Sequence, residues 1–230
     1  GVFPRKIKYG TDNMAKGPAM SREEAVKAIE VGIGMVADLK EKGYNVLATG
    51  EMGIGNTTTS SAVCSVLLDQ SVEKVTGKGA GLTNKDLEHK IEVIRQSIAL
   101  NKVNADDPLD VLAKVGGLDI AGMAGCYIGG AALNIPVFID GFISSVAALI
   151  AIRLVPECAP YLFPSHCSNE PAGRMILDAI GKQPYIFANM CLGEGTGAVM
   201  GFTIADYAFK AYWELPSFEQ TNFGTYEELN

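Results

Sequence analysis

Four polar clusters hold the side chains of this chain that could do chemistry. Glu51 sits in Gly50-Glu51-Met52-Gly53-Ile54-Gly55-Asn56, with the hydroxyls of Thr57, Thr58 and Thr59 directly after it. Lys78 lies in a second glycine loop at 76–81, and Glu194 in a third, Gly193-Glu194-Gly195-Thr196-Gly197. The fourth cluster, at 165–170, carries Ser165, His166 and Ser168. Glycine lets backbone N–H groups approach a ligand closely, and such a turn opening a helix suits an anion, most simply a phosphate. The first loop is not a Walker A motif, which needs Gly-Lys-Ser/Thr after its glycines, and it is not G-x-G-x-x-G. Taken alone, it equally fits a tight β–α turn with no ligand. His166 suits a hydrogen-bonded loop residue as well as a catalyst. No serine sits in a G-x-S-x-G elbow, which argues against a hydrolase triad.

These clusters must be held by regular elements, and the hydrophobic pattern supplies them. A strand at 45–48 runs into the first loop, and a buried helix at 57–68 leaves it. Upstream, Ser21 and Glu24 form a capping box for a helix that ends at Gly43. A second strand is expected at 70–75, then the second glycine loop. Thr83 and Asp86 open a further helix, and Lys90 lies on it. Asp107-Pro108 starts another, by the preference for proline at the first helical position, and Gly116-Gly117 stops it. The Gly/Ala-rich helix at 118–133 suggests close packing on a sheet or a second subunit. Strand 135–139 delivers Asp140 to its carboxyl end, where open α/β sheets place ligands. Helix 142–154, strand 161–163, a helix opened by Pro171 and a helix at 198–215 complete the pattern. Strand, polar loop and helix recur at least four times, so the expected fold is α/β, a Rossmann-like parallel sheet flanked by helices on both faces. The chain reads as a single α/β domain over 1–230, with peripheral segments at 1–20 and 216–230.

Composition narrows the function. The 230 residues are 48% hydrophobic with a net charge of −7, enough for a sizeable core and ill-suited to a nucleic-acid groove. No apolar run reaches the roughly 18–20 residues of a membrane span, and nothing reads as a signal peptide. The five cysteines are odd in number and form no C-x-x-C pair, which suggests reduced thiols of a cytoplasmic protein, mostly filling core. No metal site is expected, because only His89 and His166 are available and neither has a partner at ligand spacing. The start, Gly1-Val2-Phe3-Pro4, lacks Met and suggests a fragment or a processed product.

Glu51 to Thr59 together with Leu192-Gly193-Glu194-Gly195-Thr196-Gly197-Ala198 resembles the nicotinate-nucleotide–dimethylbenzimidazole phosphoribosyltransferase family. Tyr9-Gly10-Thr11, Asp140-Gly141-Phe142-Ile143-Ser144 and Ser165-His166 are similar to it as well, so the resemblance covers essentially the whole chain. The family carries a sizeable segment before Gly1 that helps form a small domain and part of the aromatic-base pocket. The resemblance implies phosphoribosyl transfer from nicotinate mononucleotide to 5,6-dimethylbenzimidazole or a related base, in the assembly of cobamides. It implies small-molecule substrates, no cofactor and a homodimer. It matches Glu194 to the general base and places Glu51 and Lys90 near the reacting sugar and base. The phosphate is expected on N–H groups of Gly53, Gly79 and the Ser168 loop, with Met52, Asp140, Leu192 and Gly193 completing the substrate-binding set. Two other readings use the same residues: a non-catalytic partner subunit of such an enzyme, or a dinucleotide-binding oxidoreductase. Against the second, no acidic residue falls about 20 residues beyond a G-x-G-x-x-G that opens a helix.

Overall fold

The computed structural model describes residues 2–79 and 81–221. Gly1, Ala80 of the second glycine loop and residues 222–230 of the expected peripheral tail lie outside the described residues. Helix α1 (Arg22–Glu41) begins with the expected reciprocal cap: the Ser21 hydroxyl accepts from the Glu24 amide, and the Glu24 carboxylate accepts from the Ser21 amide. Strand β1 (Leu47–Ala48) leads through the first glycine loop into α2 (Asn56–Leu67). A four-residue helix, α3 (Val72–Val75), precedes the second glycine loop. Helix α4 (Asn84–Asn101) follows, capped reciprocally by Thr83 and Asp86. In α5 (Pro108–Val115), the Asp107 side chain accepts from the amides of Leu109 and Asp110. Then come α6 (Leu118–Ala132), β2 (Val137–Ile139), α7 (Phe142–Leu154), a 3-10 turn (Pro156–Tyr161) and β3 (Leu162–Pro164). Helices α8 (Gly173–Ala179), α9 (Thr196–Glu214) and α10 (Phe218–Thr221) end the described chain.

The three strands form one parallel sheet in the order β1-β2-β3, with Leu47 opposite Val137 and Val137 opposite Leu162. Successive side chains of a strand point to opposite faces. Val137 meets α6 at Gly130, while Phe138, next along the strand, turns to the other face and packs edge-on against Phe202 of α9. Helices therefore cover both faces, as the pattern predicts. Helix α7 is apolar all round and has ten consecutive buried residues, Phe142 through Ala151. It is the centre of the core and touches α2, α5, α6, α8 and β2.

One expected strand is absent. Residues 70–75 turn into α3 because Val72 and Val75 stand three apart: that spacing buries both on a helical turn and leaves Glu73 and Lys74 in solvent. An alternating strand would have put them on opposite faces. Among the described residues the expected fourfold repeat reduces to three strands and one isolated bridge, His166 with Ile186. The helix expected from Pro171 starts at Gly173.

The small residues of α6 serve two neighbours. Gly130 lies against Val137 of the sheet, and the opposite side meets α1 of the same chain rather than a second subunit. A Cβ on Gly32 would fall 2.0 Å from the Gly122 carbonyl oxygen, and one on Gly125 would fall 1.9 Å from that of Ile29. The two backbones touch, and only glycine allows it. Gly125→Ala should cost about 1–3 kcal/mol, the usual penalty of overpacking, which lowers Tm by about 2–12 °C in a chain of this size. Gly34→Ala in the same α1 meets nothing within 4 Å. It should raise stability by about 0.5–1 kcal/mol through helix propensity. Calorimetry on both variants checks this, and equal losses at the two positions would contradict the contact.

Candidate active site

The strands end at Thr49, Asp140 and Ser165, all buried. A hydrogen-bonded set ties these ends together. The Thr49 hydroxyl lies 2.6 Å from Tyr127 Oη and 3.2 Å from the Phe138 carbonyl, and Tyr127 donates to the Ser144 carbonyl. Burial holds the Tyr127 phenol well above its ordinary pKa. The Ser165 hydroxyl donates to the Ile139 carbonyl at 2.8 Å, which leaves His166 Nδ1, 3.0 Å away, as the donor to Ser165 Oγ. Burial lowers the His166 pKa against the opposing pull of Asp140, so the ring is neutral at neutral pH.

Asp140 is 2% exposed, and both its oxygens are engaged by the start of α9. Oδ2 accepts from the Gly195 amide at 2.9 Å, and Oδ1 from the amides of Gly197 and Ala198 at 2.8 and 3.2 Å. These are the free N–H groups of a helix N-terminus, where a carboxylate is favoured. Just before them Gly193, Glu194 and Gly195 all have positive φ: 78°, 58° and 79°. For Glu194 that left-handed conformation is strained, by about 1–2 kcal/mol, and it is held in place by the bonds that follow it. Gly195 also touches the first loop: a Cβ on Gly50 would lie 2.5 Å from Gly195 Cα.

In the first loop, Glu51 Oε2 accepts from the Gly53 amide at 3.0 Å and from the Asn56 side-chain amide, which also donates to Asp119 at 2.9 Å. Glu51 Oε1 faces Gly193, where a Cβ would lie 3.5 Å away. Helix α2 starts from Gly55 in the left-handed conformation with no side-chain cap. Its first residues, Asn56 and Thr57, open onto a pocket of about 300 Å³. That volume is at the small end for ligand sites.

The pocket brings together Glu51, Gly53, Gly79, Asp140, Ser168, Leu192 and Gly193 of the expected set. Met52, 81% exposed, is not in its wall, and Glu194 lies exposed at its edge, one residue beyond Gly193. Lys90 is 7% exposed and also outside the wall. Its ammonium donates to Thr57 Oγ1 at 3.0 Å and to the Gly77 carbonyl at 2.9 Å, stapling the second glycine loop to α2. Burial lowers its pKa, partly offset by Glu170. Lys78 is exposed. The Gly53 amide, expected to meet a phosphate, is turned onto Glu51. Asp140, expected to bind substrate, spends its oxygens on α9. Cys191, one of five thiols expected mostly to fill core, is exposed on the pocket wall.

The wall also contains Asn56, Thr57, His166 and Glu170; Thr57 and His166 stand in the polar clusters of the sequence, while Asn56 and Glu170 are given no role there. Asn56 and Thr57 stand inside the first motif, so their place beside Glu51 was available as a signal. Glu170 ends a polar loop, and nothing in its spacing separates it from a solvated carboxylate.

A parallel α/β sheet with a polar pocket at its carboxyl edge and an uncapped helix N-terminus in the wall is a setting in which small anionic ligands are commonly held. A phosphoribosyltransferase family model matches residues 2–223. Nicotinate-nucleotide–dimethylbenzimidazole phosphoribosyltransferases of Ruminiclostridium cellulolyticum and Acetivibrio thermocellus are 55% and 51% identical to the chain, over 100% and 99% of its length. The crystal structure of CobT from Thermus thermophilus superposes with a TM-score of 0.92 at 35% identity, over 97% of this chain and 67% of that one. The chain belongs to the nicotinate-nucleotide–dimethylbenzimidazole phosphoribosyltransferase family. It spans 65% of the length of these two curated relatives.

Asp140→Asn keeps one acceptor but sets an amide NH₂ against the α9 N–H groups. A hydrogen bond to a charged group is worth about 1.5–3 kcal/mol, so exchange of the Gly195, Gly197 and Ala198 amides should quicken by about ten- to a hundredfold relative to amides of α7. Unchanged exchange at those three positions would mean that Asp140 does not anchor the loop.

Proposed function

We propose that the protein containing this chain transfers the phosphoribosyl group of nicotinate mononucleotide to 5,6-dimethylbenzimidazole or a related lower-ligand base. The products are α-ribazole 5′-phosphate and nicotinate. The observation that carries this reading is the meeting of the first and third glycine loops: Gly50 on Gly195 and Glu51 on Gly193, beside the uncapped start of α2. Family membership supplies the chemistry that fits such a meeting.

In this reaction the bond between ribose C1′ and the pyridinium nitrogen breaks, and its electron pair neutralises that nitrogen. Nicotinate needs no acid to leave. A benzimidazole nitrogen attacks C1′ from the opposite side in one in-line step, which inverts β to α. The other nitrogen must then release its proton, and Glu194 takes it as general base. Strain at Glu194 serves this role if it aims the carboxylate at the base rather than at bulk water. Glu51, fixed by Gly53 and Asn56, opposes the positive charge that develops on the sugar. The phosphate lies between the α2 N-terminus, Gly79 and the Ser168 loop, all on the pocket wall. No metal or cofactor is assigned a step. Lys90 acts from behind the wall, through Thr57 and Gly77. We read the chain as one α/β domain of a cytoplasmic biosynthetic enzyme; among the described residues no helix is long and apolar enough to cross a membrane.

We also propose a homodimer. Its support is no longer α6, which is covered by α1, but the exposed apolar end of α9, where Tyr207, Phe209, Tyr212 and Trp213, with Leu215 just after the helix, are each at least 64% exposed. Apolar surface of that extent marks an association site more often than a free surface.

Glu194→Gln keeps shape and hydrogen bonding but cannot take the proton. It should cost a factor of about 10²–10⁴ in kcat, with the affinity for nicotinate mononucleotide nearly intact. Single-turnover kinetics and nucleotide titration of the full-length protein make the test; a kcat within a few-fold of the parent would pass the role to Glu51. For the assembly, light scattering at concentrations on the order of 10 μM should give a dimer mass, and a monomer there would remove it.

A further inference from the structure

Three carboxylates line the pocket, and two of them are answered by donors. Glu51 accepts from Gly53 and Asn56, and Asp140 accepts from three amides of α9. Glu170 differs. Its Oε2 is closed off from solvent and has no hydrogen-bond partner among the described residues. That oxygen is packed on the second glycine loop, where a Cβ on Gly77 would lie 2.0 Å from it. Glu170 is nonetheless part of the pocket wall, and neither of its oxygens accepts a hydrogen bond among the described residues. Lys90 is the nearby cation, yet its ammonium bonds go to Thr57 and Gly77. Burial raises the Glu170 pKa while Lys90 draws it down.

A carboxylate held in a pocket wall without donors is costly, and native sites satisfy such groups when they are filled. An ionised carboxylate can only accept, so its partner must be a donor. The phosphate and the nicotinate carboxylate of the nucleotide in the reading above are acceptors too. Its ribose hydroxyls are the donors it carries, and acidic side chains on ribose hydroxyls are a general way of holding nucleotides. Glu170 stands two residues from Ser168 and against the loop that carries Gly79. Gly79, Ser168 and Glu170 share one pocket wall, so a sugar attached to a phosphate held by the first two is within reach of the third.

We propose that Glu170 is a substrate-binding residue whose carboxylate accepts a hydrogen bond from a ribose hydroxyl of the nucleotide, fixing the rotation of the sugar as C1′ is attacked. This rests on the phosphoribosyl reading and adds a contact to it. The same carboxyl also seals the gap behind Gly77, so one side chain both shapes the second loop and reads the sugar.

The test is calorimetric titration of the full-length protein with nicotinate mononucleotide and its 2′-deoxy and 3′-deoxy analogues, repeated on Glu170→Gln and Glu170→Ala. In the parent, one of the two analogues should bind about ten- to a hundredfold more weakly, the range for a hydrogen bond to a charged group. That discrimination should shrink in Glu170→Gln and vanish in Glu170→Ala. A purely structural role would weaken all three ligands alike and leave the ratios unchanged, which overturns the proposal. Equal binding of all three ligands by the parent overturns it too, and does so without any variant having to fold. Failure of the parent to bind nicotinate mononucleotide would bring down the phosphoribosyl reading and this contact together; binding with undiminished discrimination in the variants removes Glu170 alone.

Discussion

Asp140 sits buried at the end of the central strand, and its negative charge is balanced by three backbone N–H groups rather than by a cation. Those amides belong to the first turn of α9, so one carboxylate joins the middle of the sheet to a helix on its far face. Much of the pocket follows from that bond. Gly197 has to be glycine because a Cβ would lie 2.0 Å from His166 Nδ1 and 2.9 Å from Asp140 Oδ1. Gly195 has to come within touching distance of Gly50. Glu194, between the two left-handed glycines, is presented at the edge of the pocket in a conformation it would not choose in a free loop.

Two helices begin at glycine loops on this edge, and their N-termini are treated oppositely. The start of α9 is neutralised from within by Asp140. The start of α2 has no side-chain cap and no acidic residue in its first turn, and it opens on the pocket. A helix N-terminus carries roughly half a positive charge, so the free one attracts an anion while the capped one serves only as a fixed support. This difference matters in a wall that contains Glu51, Asp140 and Glu170. An anion entering beside three carboxylates needs local positive potential, and α2 together with the buried Lys90 ammonium provides it. His166, neutral through burial, does not.

A larger cavity lies away from this chemistry. A groove of about 810 Å³ runs between α9 and the outer face of the sheet, lined by Phe138, Phe163, Tyr185, Phe209, Tyr212 and Trp213 among others. Its wall is almost wholly apolar, with Asp206 its only charged residue among the described residues. Volume alone would choose the groove as the ligand site. The smaller pocket is the better candidate because it gathers carboxylates, hydroxyls and backbone amides on one rim, as catalysis of group transfer requires.

Much of this was legible in the chain before any fold was known. The caps of α1, α4 and α5 are local signals, each spanning three or four residues, and they act within those residues. The parallel sheet followed from apolar runs alternating with helical periods, and the flanks of the glycine loops singled out Glu51 and Glu194 as candidates. What remained hidden was the part settled by distant segments. Val72 and Val75 read as strand residues, and the turn is decided where α2 and α4 pack on α3 and both valines are buried on one side. Lys90 reads as a residue near substrate, but burial under the second loop turns its ammonium to Thr57 and Gly77. Asp140 reads as a ligand contact, but α9 arrives from more than fifty residues away and takes both its oxygens. A sequence shows which side chains carry charge and which stretches bend. Which charge meets which donor depends on the order in which helices pack around a common core, and that is a property of the folded whole.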